Sequence, residues 1–218
     1  MSPARSGGRA TPTDGQMCGL FAADIAGFTR ADRDDDIRWD LRRAMYGILE
    51  TAFDECRMPW KLCTHEDRGD GPLVVVPAEI SALPLISSLP ERLRDLIQQH
   101  NRDVLEPARI QLRVAVHMGP VRHDGEGFVG SDFDLLFRML DVRLLKKMLA
   151  DSGAELALIT SDYVYKTVIV RRPSLANPAA FMKVNARVKQ TPVHGWIHLP
   201  GAPPPMLKAR FAAWVPLH

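Results

Sequence analysis

The chain has 218 residues, 46% hydrophobic and 25% charged, with a formal net charge of +2. That is length and apolar content for one domain with a sizeable core, and too little charge to call for nucleic acid or an anionic membrane surface as partner. No stretch is apolar for long enough to insert in a bilayer, and the N-terminus lacks a signal-peptide core. Cys18, Cys56 and Cys63 are odd in number and lack metal-ligand spacing, so they read as reduced core thiols of a cytoplasmic protein.

Residues 1–16 are rich in Ser, Gly, Arg, Pro and Thr without periodicity and are expected to form a mobile tail. The run Gly19-Leu20-Phe21-Ala22-Ala23-Asp24-Ile25-Ala26-Gly27-Phe28-Thr29 is short, apolar and closed by a glycine, which reads as a buried strand delivering the Asp24 carboxylate at its end. Taken alone, Asp24 is as well explained as a helix cap. From 36 to 57 the residues Ile37, Leu41, Met45, Ile48, Leu49, Ala52 and Phe53 recur at helical spacing, behind an acidic lead over 32–36 that suits the positive end of the helix dipole.

Two strand-like runs, 60–65 and 73–76, then flank Glu66-Asp67-Arg68-Gly69-Asp70-Gly71, a hairpin with Asp70 at its tip. A strand, a crossover helix and a returning strand lie side by side, so Asp24 and Asp70 are expected to face one site. Two carboxylates completed by a polyphosphate suit Mg²⁺ or Mn²⁺. Residues 73–76 are apolar at every position, implying a strand covered on both faces. With one helical layer expected, a second subunit is the candidate cover for the other face.

A helix follows near Pro90 and runs to His100, and a strand over 110–117 turns at Met118-Gly119-Pro120 into 121–129. Phe133, Phe137, Leu140, Leu144 and Met148 mark the buried side of one further helix, with Asp134 and Arg138 placed four apart on its other side, where an internal ion pair on a solvated face and a functional pair explain them equally well. Strands over 155–160, 181–189 and 196–199, with a short helix over 161–171, close the domain before a proline-rich tail, 200–218. The order strand, helix, strand, strand, helix, strand predicts an α+β fold with a ferredoxin-like βαββαβ core and C-terminal additions, spanning 17–199.

Phe21-Ala22-Ala23-Asp24-Ile25-Ala26-Gly27-Phe28-Thr29, the Gly69-Asp70-Gly71 hairpin, Val114-Ala115-Val116-His117-Met118-Gly119-Pro120-Val121, and Val129-Gly130 with Arg138 eight residues on together resemble the class III nucleotidyl cyclase catalytic domain, in its stand-alone bacterial form. The resemblance implies the same fold, a homodimer with shared sites, and conversion of a nucleoside triphosphate to a 3′,5′-cyclic nucleotide and pyrophosphate. It implies two Mg²⁺ or Mn²⁺ ions per site at Asp24, Ile25 and Asp70, with Phe28, Thr29 and Lys189 contacting the substrate. Arg138 takes the position that steadies the phosphate in the transition state. Asp134 stands where the family has an Asn that orients the ribose, a departure because an ionised Asp cannot donate. Glu66 and Gly127 fall on the two base-reading positions. A carboxylate at 66 favours GTP, and Gly127 reads nothing, which keeps pyrimidine triphosphates and a role in anti-phage signalling open ahead of ATP. The rival reading is a catalytically degenerate cyclase-like domain that binds nucleotide or serves as an interaction module.

Overall fold

In the computed structural model, which describes residues 12–202, the strands β1 (Met17–Ile25), β2 (Thr64–Asp67), β3 (Pro72–Val76), β4 (Leu112–Pro120), β5 (Leu156–Ser161), β6 (Met182–Val188) and β7 (Thr191–His198) form one sheet in the order β2-β3-β1-β4-β5-β7-β6. Four helices cover it: α1 (Asp35–Glu55), α2 (Leu89–Arg102), α3 (Ser131–Leu140) and α4 (Arg143–Ser152). The chain order β1-α1-β2-β3-α2-β4 with the spatial order β2-β3-β1-β4 is the ferredoxin-like core that the sequence predicts. Of the neighbouring strand pairs only β4 and β5 run parallel.

Near-continuous apolar sequence suits β1 to the interior of the sheet, between β3 and β4. It pairs with β4 along its whole length, from Met17↔Pro120 to Ile25↔Leu112, and with β3 from Gly19↔Val76 to Ala22↔Leu73. Alternate side chains enter two cores. Phe21, Val74, Val76, Val114 and Val116 pack under α1 and α2 through Leu41, Met45, Leu49, Phe53, Leu93 and Ile97. Leu20, Ala22, Leu73, Val75 and Ala115 pack under α3 and α4 through Phe133, Leu136, Met139, Leu145 and Met148. Residues 73–76 are therefore buried on both faces within one chain, and the expected cover by a second subunit is corrected: the second helical layer supplies it.

The acidic lead of α1 is a cap. Asp34 accepts from the Ile37 N–H at 2.9 Å, with Asp35 and Asp36 in the first turn, satisfying free amides and meeting the helix dipole. Other boundaries move. Residues 60–62 are a 3₁₀ turn ahead of β2, where the sequence suggested a strand. Met118-Gly119-Pro120 does not turn; it completes β4, because pairing with β1 continues to Pro120, and 121–130 is a loop with a single bridge, His123↔Phe128. The expected helix over 133–148 is two. Asp141 and Val142 interrupt it, yet Val142 is buried and both halves pack on one sheet face, so the apolar spacing runs through the break unchanged. Residues 162–169 are helical, ending in a π-turn, Tyr165–Ile169.

Residues 12–16, grouped with the tail in the sequence reading, are held by Gly15 N–H on the Val121 carbonyl and by Gln16 on Glu79. The rest of that tail, 1–11, and 203–218 of the C-terminal one lie outside the described residues. Among the described residues no helix is long and apolar enough to cross a membrane.

Two glycines test this packing in opposite directions. A Cβ on Gly71 would overlap the Ala23 carbonyl oxygen, backbone that cannot yield, so Gly71→Ala should cost at least about 2 kcal/mol in urea unfolding. Gly47, within α1, has open space around its Cβ position, and Gly47→Ala should raise stability by about 0.5–1 kcal/mol in the same measurement.

Candidate functional site

The close approach at Gly71 builds the site. With no Cβ in the way, the β2–β3 turn lies against the end of β1, and Ile25 N–H bonds the Asp70 carbonyl at 3.1 Å. Asp24 and Asp70 consequently line one cavity of about 280 Å³, together with Ala23, Arg68, Phe137, Leu140 and Asp141. The turn beyond Ile25 is pinned by Arg33, 3% exposed, which donates to the carbonyls of Ala26 (3.2 Å), Gly27 (3.0 Å), Pro107 (3.0 Å) and Arg109 (2.8 Å). Ile25 places its side chain in the core under α1, and its carbonyl accepts from Phe28 N–H at 3.3 Å. Phe28 packs against that same core, while Thr29 is exposed in the turn.

Asp24 is buried and carries an ion pair that the sequence reading missed. Arg113 Nε donates to its Oδ1 at 2.6 Å, with both side chains under 15% exposed. Burial nevertheless pushes the Asp24 carboxyl up, from 3.8 to about 6; Arg113 pulls it down and the Asp70 charge adds to the rise. Two hard carboxylates that repel each other in one cavity, beside a backbone carbonyl with spare acceptor capacity, fit Mg²⁺ or Mn²⁺. The described residues contain no group of three or more acidic, His or Cys side chains placed for a metal, so a cation held here would take the rest of its oxygens from water or a ligand.

The two positions expected to read the base do come together. Phe128 N–H donates to Glu66 Oε1 at 3.0 Å, Arg68 Nη2 donates to Oε2 at 2.6 Å, and a Cβ on Gly127 would lie 3.2 Å from Oε1. Asp134 and Arg138, by contrast, do not pair. Neither has an ion pair in the structure, which corrects the expected internal bridge; both lie on the side of α3 away from Phe133, Leu136, Met139 and Leu140, and neither lines the Asp24 cavity. Lys189 is also apart from the carboxylates. It sits at a φ of 54° in the β6–β7 turn and lines a second cavity, about 450 Å³, with Arg143 and Arg187. Asp141 borders both cavities and is held by Lys146 at 2.8 Å.

A buried polar chain fixes the start of α3. His117 Nε2 meets Asp132 Oδ1 at 2.8 Å and its Nδ1 meets Ser161 Oγ at 2.7 Å. An ionised Asp132 can only accept, so Nε2 donates to it, and the neutral ring then accepts the Ser161 hydroxyl at Nδ1 while Ser161 Oγ accepts from Val164 N–H. Ser161 is 2% exposed, which excludes it as a nucleophile; the chain ties α3 to β4 and β5 instead. Gly119 is needed here, since a Cβ would come within 2.7 Å of the Asp132 carboxylate. The signals in the sequence were Arg113 and His117 themselves, charged or polar residues in an otherwise apolar strand.

No family model matches the sequence, and no curated protein does. Solved structures do match. An adenylate/guanylate cyclase/hydrolase from Silicibacter pomeroyi superposes with a TM-score of 0.59 at 21% identity, over 86% of this chain and 98% of that one. The guanylate cyclase domain of RhGC from Catenaria anguillulae, in complex with GTP, gives 0.51 at 16% identity over 86% and 99%. A rhodopsin-guanylyl cyclase catalytic core with converted specificity, in complex with ATPαS, gives 0.51 at 15% over 86% and 97%.

The raised Asp24 carboxyl has a sign that can be measured. Protonated Asp24 is favoured in the fold, so its stabilising contribution is complete below about pH 4 and is lost as pH rises through about 6. In metal-free protein, wild type should therefore lose stability relative to Asp24→Asn between pH 4 and pH 7.5, by an amount on the order of 2 kcal/mol, read from urea unfolding at the two pH values.

Proposed function

The chain has the fold of nucleotidyl cyclase catalytic domains, and we propose that it is a metal-dependent nucleotidyl cyclase. The observation that carries this reading is the convergence of Asp24 and Asp70 on one cavity at adjoining strand ends of that fold. The substrate is a nucleoside triphosphate, GTP or a pyrimidine triphosphate ahead of ATP. Its ribose 3′-hydroxyl attacks its own α-phosphorus, the bond to the β-phosphate oxygen breaks, and pyrophosphate leaves. Bound divalent cations supply charge neutralisation and lower the pKa of the attacking hydroxyl.

The residues do the positioning. Asp24, Asp70 and the Ile25 carbonyl would hold the cations, with Arg113, paired to Asp24, beside them. Arg138 donates to the phosphate oxygens that gain charge in the transition state, and Lys189 meets the triphosphate. Phe28 and Thr29, in the turn after Ile25, shape the phosphate end. Asp134 replaces the usual ribose donor by an acceptor, suited to a ribose hydroxyl that donates.

Arg138 and Lys189 stand outside the cavity of Asp24 and Asp70 in one chain, so this reading pairs two copies head to tail, each completing the other's site. A cyclic product makes the protein a source of a diffusible signal, and a pyrimidine product would extend the reading to anti-phage defence.

Incubation with each of GTP, ATP, UTP and CTP and Mn²⁺, followed by detection of cyclic product, tests the activity. Asp24→Ala and Asp70→Ala should each fold and lose more than about 99% of turnover, because either ligand positions both cations. Mixing inactive Asp70→Ala with inactive Arg138→Ala should restore activity through one intact site per mixed dimer. Absence of product from every triphosphate would leave the fold as a binding module, and wild-type turnover in either aspartate variant would end the two-cation account.

A further inference from the structure

Arg33, in the turn between β1 and α1, is a buried cation with no ion pair among the described residues. It is 3% exposed, and its Nε donates to the Pro107 carbonyl at 3.0 Å, its Nη1 to Ala26 at 3.2 Å and Gly27 at 3.0 Å, and its Nη2 to Arg109 at 2.8 Å. All four acceptors are backbone carbonyls. The acids nearby are engaged elsewhere, Asp32 on Arg30 at 2.6 Å and Glu106 on Arg109 at 3.0 Å. Burial and the Arg30 charge pull the Arg33 guanidinium below its ordinary pKa. Taking a charge out of water without a counter-charge is unfavourable, so packing alone does not call for an arginine here.

The shape of the group does. A guanidinium presents five N–H donors in fixed directions, whereas a lysine ammonium has three on a rotating point charge. Two of the gripped carbonyls, Ala26 and Gly27, belong to the turn that leaves Ile25; the other two, Pro107 and Arg109, belong to the segment leading into β4. A peptide unit is planar, with N–H and C=O pointing opposite ways, so holding the first two carbonyls also aims the N–H groups of Gly27 and Phe28 away from Arg33. Gly27 N–H has no acceptor among the described residues, and Phe28 N–H bonds the Ile25 carbonyl at 3.3 Å.

We propose that Arg33 is a positioning residue for the cation and phosphate end of the site, acting through the turn 25–29 by fixing where the Ile25 carbonyl and the amides after it stand. The proposal rests on the cyclase reading of that end and extends it to a residue that does not line the Asp24 cavity. Arg33 lines instead a separate cavity of about 320 Å³, with Arg30 and Arg109.

Binding of Mn²⁺ with inorganic tripolyphosphate, a phosphate tail without base or ribose, tests this role without turnover. Arg33→Lys keeps the charge and loses the fork; Arg33→Gln keeps two donors and loses the charge. Each, at a temperature where circular dichroism shows it folded, should bind Mn²⁺–tripolyphosphate about tenfold or more weakly than wild type, the scale on which partners behind a metal site act. In Arg33→Ala, guanidinium ion at about 50 mM, far below denaturing levels, should tighten binding by about threefold or more by entering the vacated side of that cavity, and sodium at the same concentration should not. A merely structural Arg33 would lower the urea midpoint and leave the affinity of the folded variants at the wild-type value. That result overturns the proposal, as do variants that fold under no condition and a wild type that does not bind the probe. The two readings fail separately: weakened probe binding in the variants without cyclic product from wild type retains the positioning role and removes the cyclase, whereas cyclic product at wild-type rates from folded Arg33→Lys and Arg33→Gln retains the cyclase and removes the role.

Discussion

The nine-residue antiparallel pairing of β1 with β4 is the constraint from which the remaining structure follows. It places the end of β1 at the start of β4, which sets Arg113 opposite Asp24 and brings the carbonyl of Gln111 to the Ala26 N–H. On the other side of β1, pairing with β3 ends at Ala22↔Leu73, and the backbone at 71 can lie against Ala23 and Asp24 only because it has no side chain. Two strand contacts and one glycine thus converge on a single carboxylate. Once β1 is central and buried on both faces, helices are required on both faces as well, and the two cores follow from the alternation along β1 and β3.

Three of the acidic groups at or beside the site are met by arginines. Asp24 is met by Arg113, Glu66 by Arg68, and Asp67 by Arg42 from α1. These pairs differ in their physics. Arg113 and Asp24 are both taken out of water, so desolvation competes with their attraction and the carboxyl stays near a pKa of about 6 in spite of the partner. Arg68 keeps nearly half of its side chain in solvent and holds Glu66 by a bond that water can replace.

Helix α3 belongs to both the core and the Asp24 cavity. Its inner side, through Phe133, Leu136 and Met139, is part of the core, Phe137 and Leu140 line the Asp24 cavity, and Arg138 stands on the outer side. The Asp132–His117–Ser161 chain ties the first turn of α3 to the sheet, and its apolar side packs into the core, so both hold the helix that carries Arg138. Buried polar networks of this kind specify a single arrangement when every member is satisfied.

Local sequence determined much of this protein. The apolar run ending at Asp24, the Gly-Asp-Gly turn, the amphipathic period of α1 and the order of elements carry the ferredoxin-like core and the two carboxylates, because strand burial, turn geometry and helix periodicity are written in neighbouring residues. Tertiary structure alone decided the rest. It placed the second helical layer over 73–76, carried β4 straight through a Gly-Pro pair, broke the helix at Val142 without disturbing its apolar spacing, and seated Arg113 on Asp24 and Arg68 between Glu66 and Phe137. Each of these depends on a partner far away in the chain or on which of several nearby charges a side chain selects. Such choices are settled by register and packing, which no local pattern of residues contains.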